Sequence, residues 1–206
     1  MPNFGKCGIL CIWFHVDLLL PAILSQAAEA GIIFGNGMRC GMAKGSVYIY
    51  AGDGRGKSPA ALGRALQAAM EGRNVVIIQF LKGSGSRNSD FLRRMEPEIK
   101  LFTFEKSDEN YEDLSEDKKK EEIANIKNGM NFARKVLATR ECDLLILDEM
   151  LKLTEKGIVP VEELKAMLEC REDTDIILTG VRFSDDICIL ADEISRIETV
   201  KFKVWE

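Results

Sequence analysis

Between Gly52 and Ser58 the chain reads Gly52-Asp53-Gly54-Arg55-Gly56-Lys57-Ser58, directly behind the apolar run Val47-Tyr48-Ile49-Tyr50. Few short segments constrain a fold so tightly. Three glycines let the backbone turn back on itself, so that its N–H groups converge on phosphate oxygens. Lys57 adds a cation, and Ser58 offers a hydroxyl to a magnesium ion. Such a loop needs a strand before it and a helix after it. It therefore predicts a nucleotide-binding β-loop-α unit inside an α/β domain. Its spacing is unusual. The common pattern places about four residues between the first Gly and the Gly-Lys-Ser; here Gly52 and Gly56 are separated by three.

The rest of the chain fits that frame. Ser46 to Tyr50 reads as a strand and Pro59 to Glu71 as a helix, with Pro59 in its first turn, where a missing N–H costs nothing. Ala61, Leu62, Ala65, Leu66 and Ala69 give this helix a small-residue face suited to lying close on a sheet. Asn74 to Phe80 is a continuous apolar strand of the kind buried on both faces of a parallel sheet. A Gly- and Ser-rich loop, 82–86, precedes a short helix over 90–95 and a third strand over Ile99–Phe104. Glu105 to Glu122 holds nine acidic and four basic residues, which suits a solvated loop and helix start, or a lid over a ligand. Ser115 is placed to cap a long helix to about Ala138, with Ile123, Ile126, Met130, Ala133 and Leu137 inward. Asp143 to Leu147 reads as the fourth strand, closing on Asp148-Glu149. Pro160 opens a helix, Asp175 to Thr179 is a fifth strand, Ser184 precedes a helix to Leu190, and Ile194 to Val200 is a last strand. The expected architecture is a three-layer α/β domain of the P-loop NTPase-like kind, with a mainly parallel sheet of about six strands.

Composition narrows the chemistry. With a net charge of -5, duplex nucleic acid is not the expected main partner, since phosphate contacts want a basic face. The six cysteines include no Cys-x-x-Cys pair, and His15 is the only histidine. Neither a zinc site nor a histidine-dependent nucleophile is expected. Scattered cysteines beside a nucleotide loop fit a reducing cytoplasm.

Residues 1–41 differ in composition from the rest of the chain. They hold three cysteines and His15, but only Lys6, Asp17, Glu29 and Arg39 as charges. The apolar stretch Ile9 to Leu24 is broken by His15, Asp17 and Pro21, which argues against a secretory signal cleaved near Ser25-Gln26-Ala27 and against a membrane span. The favoured reading is a dispensable or non-native extension, with the domain running from Met42 to Glu206; a helical appendage packed on the domain is the alternative.

The second half of the site is Leu144-Leu145-Ile146-Leu147-Asp148-Glu149, an apolar strand ending in two carboxylates. In P-loop proteins such a strand lies near the glycine loop and presents an acid to the magnesium shell. Together with Val76-Ile77-Ile78-Gln79-Phe80-Leu81-Lys82-Gly83, Val161-Glu162-Glu163, Ile177-Leu178-Thr179-Gly180 and Leu190-Ala191-Asp192, these segments give the chain a family likeness. Residues 42–202 resemble the P-loop ATP:corrinoid adenosyltransferases, and the short loop is itself a mark of that family.

The resemblance implies a chemistry. A cobalt(I) corrinoid attacks the 5′ carbon of ATP, and the whole triphosphate leaves. ATP lies in the loop with reversed polarity. By the same resemblance Gly52, Asp53, Gly54, Arg55, Gly56 and Lys57 bind the triphosphate, Ser58 and Glu149 hold Mg2+, and Asp148 supports that shell. Lys57 and Glu149 are then the catalytic residues, acting electrostatically on the leaving group. The family strips the lower axial ligand from cobalt with aromatic side chains. Its Gly-Phe-Thr-Trp segment is not found after the third strand, where Phe104-Glu105-Lys106-Ser107-Asp108-Glu109-Asn110-Tyr111 stands instead, so Phe104 and Tyr111 are the candidates for that floor. Val181 separates Thr179-Gly180 from Arg182, and Pro59 replaces a threonine of the family. The resemblance further implies a flavodoxin-like reductant and a homodimer, and no membrane partner.

Two other functions compete. Reading Ala51 to Ser58 as the motif restores the four-residue spacer, which suits a conventional P-loop ATPase or kinase. A non-catalytic protein that binds ATP or corrinoid is the other.

Overall fold

The computed structural model describes residues 44–81, 92–107 and 109–201. The expectations for residues 1–41 and for the loop 82–86 lie outside these. Among the described residues six strands form one sheet: β1 Val47–Ala51, β2 Val75–Phe80, β3 Ile99–Phe104, β4 Leu144–Asp148, β5 Asp175–Gly180 and β6 Glu193–Arg196. Their spatial order is β3-β2-β4-β5-β1-β6, and every pairing is parallel. The α/β architecture is therefore as expected, with a sheet that is wholly rather than mainly parallel. Parallel neighbours need crossovers, and the helices supply them. They are α1 Lys57–Met70, α2 Glu116–Thr139, α3 Met150–Glu155, α4 Val161–Glu169 and α5 Asp185–Cys188.

Each face of the sheet has its own core. On one side Ala61, Ala65 and Ala68 of α1 lie on Val75, Ile77, Leu144, Ile146 and Ile177. The small side chains let the helix axis approach the strands closely, as the alanine face predicts. On the other side α2, α3 and α4 bring Ile126, Met130, Ala133, Leu151 and Leu164 onto Ile49, Ile78, Phe80, Leu145 and Leu178. Strand residues alternate between these cores with period two. Gly129 of α2 permits the closest approach there: a Cβ would stand 2.6 Å from the Phe80 ring and 2.8 Å from the Phe104 ring.

The strand starts are tied by aspartates. Asp192 Oδ2 accepts the Val47 N–H at 2.7 Å, Asp175 Oδ1 accepts that of Ser46 at 2.9 Å, and Asp143 Oδ2 accepts that of Asn74 at 2.7 Å. Arg73 joins two of these ties, donating to Asp175 Oδ2 and to the Asp143 carbonyl, both at 2.7 Å. Fixed at this edge, the strands present their C-terminal ends, and any ligand site, at the other.

Several boundaries differ from the sequence reading for identifiable reasons. Helix α1 begins at Lys57, so Pro59 is its third residue; that position is still within the first turn, whose N–H groups have no intrahelical acceptor. Helix α3 is not expected from the sequence, because its six residues are too few to show a period. The last strand ends at Arg196. Ile197 turns its backbone to the glycine loop instead, donating to the Ala51 carbonyl at 2.7 Å and accepting from the Gly54 N–H at 3.1 Å. Ser115 and Ser184 occupy cap positions, but neither hydroxyl makes the capping bond.

In α2 Ile123 is only half-buried, while Glu122 is 1% exposed. One Glu122 oxygen accepts the Lys106 N–H at 3.1 Å, and the other, Oε1, has no partner. Burial pushes the carboxyl above its usual range, with a smaller push from the Glu105 charge, against the lowering effect of the Lys106 and Ser107 N–H groups. The native carboxyl thus keeps its proton to higher pH than the unfolded one. Across that interval the native state binds more protons, so stability falls as pH rises through it. Glu122→Gln removes this dependence. Urea denaturation is expected to show the variant gaining on the wild type as pH rises above about 4.5, the ordinary value of the carboxyl; a wild-type advantage that grows with pH there would contradict the assignment.

Candidate active site

The glycine loop hangs between β1 and α1 and leans on the residue after β6. Gly52 has φ +125°, and a Cβ there would lie 2.2 Å from the Ile197 carbonyl oxygen. A Cβ on Gly54 would meet the same oxygen at 2.8 Å. These two positions need glycine for conformation and for close backbone approach. The Lys57 ammonium is folded under the loop, donating to the Gly52 carbonyl at 2.7 Å and the Gly54 carbonyl at 2.9 Å. A buried cation and the start of a fourteen-residue helix therefore face the same short segment. That arrangement suits a polyanion. Asp53 and Arg55 on the loop are both exposed.

Strand β4 delivers Asp148 to the mouth of the loop, although β5 lies between β4 and β1. Asp148 is 2% exposed. Its Oδ1 accepts the Ser58 hydroxyl at 2.8 Å and the Thr179 hydroxyl at 2.6 Å. Its Oδ2 accepts Gln79 Nε2 at 3.2 Å. Thr179 in turn accepts the Glu149 N–H at 2.9 Å. Glu149 sits at φ 65°, ψ 18°, a left-handed conformation that costs a non-glycine residue about 1–3 kcal/mol and is held by this bond and by the start of α3. The sheet register makes the cluster systematic. Gln79 pairs with Thr103 and Asp148, and Tyr50 pairs with Thr179 and Ser195. One polar row thus crosses the strand ends on the α1 face.

Beside this row lies a cavity of about 370 Å³. Arg55, Ser58, Gln79 and Asp148 give it a polar end, and Leu62, Ile77, Leu92 and Ile146 apolar walls. Among the described residues no three His, Cys, Asp or Glu side chains converge as a metal cluster. A hydroxyl with one or two carboxylates instead suits Mg2+, which keeps several waters and shares its shell with substrate phosphates. The three described cysteines, Cys142, Cys170 and Cys188, are free. Burial pushes the Cys142 thiol up to about 12, which leaves no thiolate there at neutral pH.

The structure brings together the glycine loop, Lys57, Ser58 and Asp148, and ties the Glu149 backbone to them through Thr179. It does not bring Phe104 or Tyr111 to them. The Phe104 ring lies on the opposite face of the sheet, 6.3 Å from the Phe80 ring and 5.8 Å from the Phe132 ring on α2. Tyr111 begins a 3₁₀ turn, with the Lys156 ammonium 5.7 Å from its ring centre. Phe102, Thr103 and Phe104 lie within β3. Phe102 packs 4.5 Å from Phe132. Gln79 and Thr179 escape the sequence reading as functional residues. Their signal is a polar residue inside an apolar strand, which must find a partner when buried.

Sequence comparison places the chain in a known family. Residues 43–206 match the family model described as ATP:corrinoid adenosyltransferase BtuR/CobO/CobP. The corrinoid adenosyltransferase of Escherichia coli K12 is 29% identical over 162 residues, spanning 77% of this chain and 79% of that one. That of Pseudomonas aeruginosa is 25% identical over 166 residues, spanning 77% of each. Among solved structures, a KaiC-like protein of Pyrococcus horikoshii gives a TM-score of 0.47 at 18% identity, over 78% of this chain and 76% of that one.

Thr179 holds the Asp148 carboxylate through its hydroxyl proton and the Glu149 backbone N–H through a lone pair. Thr179→Val keeps the shape and removes both bonds. It is expected to cost about 1–3 kcal/mol in urea denaturation and to weaken ATP binding measured by calorimetry. A variant indistinguishable from wild type in both would remove Thr179 from the site.

Proposed function

Because the chain belongs to the ATP:corrinoid adenosyltransferase family, we propose that its glycine loop and polar row serve the transfer of the 5′-deoxyadenosyl group of ATP to cobalt(I) of a reduced corrinoid. Cobalt(I) supplies the electron pair of the new Co–C5′ bond. The C5′–O5′ bond breaks, its pair leaves on the triphosphate, and cobalt ends as cobalt(III). No proton changes hands at carbon, so no general base is needed. The observation that carries this reading is the loop geometry: a three-residue spacer, a buried Lys57 and a cavity at the same end of the sheet.

Gly52, Asp53, Gly54, Arg55 and Gly56 hold the triphosphate through loop amides and the exposed Arg55 guanidinium. Lys57 exchanges its loop carbonyls for phosphate oxygens and offsets the charge that grows on the leaving group. Fixed positive charge facing a developing anion in a partly dry site is the largest catalytic term available here. Ser58, Asp148 and Glu149 hold Mg2+, with Asp148 orienting the Ser58 hydroxyl. When bound, the ion screens the triphosphate and holds it in one conformation.

The corrinoid half rests on the aromatic segment. Phe104, with Phe102 beside it, is proposed to meet the corrin after leaving its packing on α2. Tyr111 is the second candidate. A flavodoxin-like reductant, a homodimer and a cytoplasmic setting are carried over from the family in the same way. Among the described residues no helix is long and apolar enough to cross a membrane. The domain is proposed to begin at Met42, with residues 1–41 dispensable for ATP binding.

Lys57→Ala tests the assignment. With ATP, Mg2+ and chemically reduced corrinoid, the light-sensitive adenosylated product should fall by at least about a hundredfold, a loss typical of removing one preorganised charge partner. Retained turnover would refute the role of Lys57. Release of single phosphate by the wild type would favour the ATPase reading.

A further inference from the structure

Gln79 is 7% exposed and sits in the middle of the polar row, between Thr103 on β3 and Asp148 on β4. Its orientation is fixed by chemistry. An ionised carboxylate only accepts, so the amide must turn its NH2 group to Asp148 Oδ2, at 3.2 Å. The amide carbonyl is thereby committed as an acceptor. That oxygen, Oε1, is buried and has no partner. A buried acceptor left unpaired is a net cost, and native structures keep few of them. The same side chain lines the 370 Å³ cavity beside Ser58 and Asp148. An acceptor there selects a donor.

The neighbours decide which donor. Asp148 touches both Gln79 and Ser58, so the orphaned carbonyl stands one side chain away from the hydroxyl proposed to hold the cation. Mg2+ gives up its waters reluctantly, and metal-bound water is a strong hydrogen-bond donor. We infer that Gln79 is a positioning residue for the divalent cation: Oε1 accepts a hydrogen bond from a metal-bound water, while Nε2 holds Asp148 in line. The inference rests on the cation site proposed above. It adds an outer partner that the cavity contains and that no acidic side chain supplies. Thr179, Asp148 and Gln79 then form one continuous strut, from the Glu149 backbone to the water shell.

Mn2+ is the probe, because its free form is counted by electron paramagnetic resonance without any turnover. At saturating ATP the wild type should bind one Mn2+ more tightly than ATP alone does. Gln79→Met keeps the length and removes both the acceptor and the donor to Asp148. It should weaken Mn2+ about tenfold or more, the usual effect of losing an outer-shell partner, while metal-free ATP affinity stays within about twofold. Ser58→Ala separates the two layers of the argument. If Ser58→Ala leaves Mn2+ affinity unchanged, the cation site is misplaced. If it weakens Mn2+ and Gln79→Met does not, the cation site stands and the role of Gln79 is overturned. An equal loss of ATP affinity with and without metal in Gln79→Met would also overturn it. Should Gln79→Met fail to fold, Gln79→Asn, whose amide is too short to reach both partners, is read in the same assay with the same expectation.

Discussion

The carboxylate of Asp148 is the interaction on which the site depends. It is almost wholly buried, and it gathers Ser58 from α1, Thr179 from β5 and Gln79 from β2. A buried charge is tolerated only when its lone pairs are occupied, and three donors occupy these. The result is mechanical as well as electrostatic. The start of α1, and with it Lys57 and the glycine loop, is tied to the ends of two strands and through Thr179 to Glu149. Without this tie the loop would be held chiefly by its contacts with Ile197 and Val181.

The two faces of the sheet divide the work. The α1 face carries the polar row, the glycine loop and the cavity. The α2 face carries the larger aliphatic core and the aromatic cluster of Phe80, Phe102, Phe104 and Phe132. Gly129 shows how tightly that cluster is packed, since the helix has no room for a single methyl there. The proposed ATP site is therefore already built. The proposed corrinoid role requires the end of β3, an edge strand with one neighbour among the described residues, to change its packing. An edge strand is the cheapest place in a sheet for such a change, because only one ladder of hydrogen bonds restrains it.

Most of the fold is legible in the sequence because the relevant signals are local. The glycine loop announces β1 and α1, and the apolar runs ending at Phe80, Asp148 and Gly180 announce buried parallel strands. What does not show is set by tertiary contacts. Helix α3 is too short to display a period. The end of β6 is decided by Ile197 pairing with the glycine loop, which no window of sequence contains. Glu122 reads as part of an acidic, solvated run but is buried, with one oxygen accepting the Lys106 N–H from the loop after β3. In the site, the legible residues are those that carry charge or a motif: Lys57, Ser58, Asp148, Glu149. The neutral partners Gln79 and Thr179 are not legible, since their role comes from cross-strand register.

Adenosyl transfer and phosphoryl transfer differ in which bond of ATP breaks. ATP carrying heavy oxygen at O5′ distinguishes the possibilities in one mass measurement. With Mg2+ and chemically reduced corrinoid, attack at the 5′ carbon places the label in intact triphosphate, formed in equal amount to an unlabelled adenosylated corrinoid. Label retained on the nucleoside, or phosphate appearing in place of triphosphate, would mean that the glycine loop presents a phosphorus atom and not the ribose carbon, and would contradict the account at its centre.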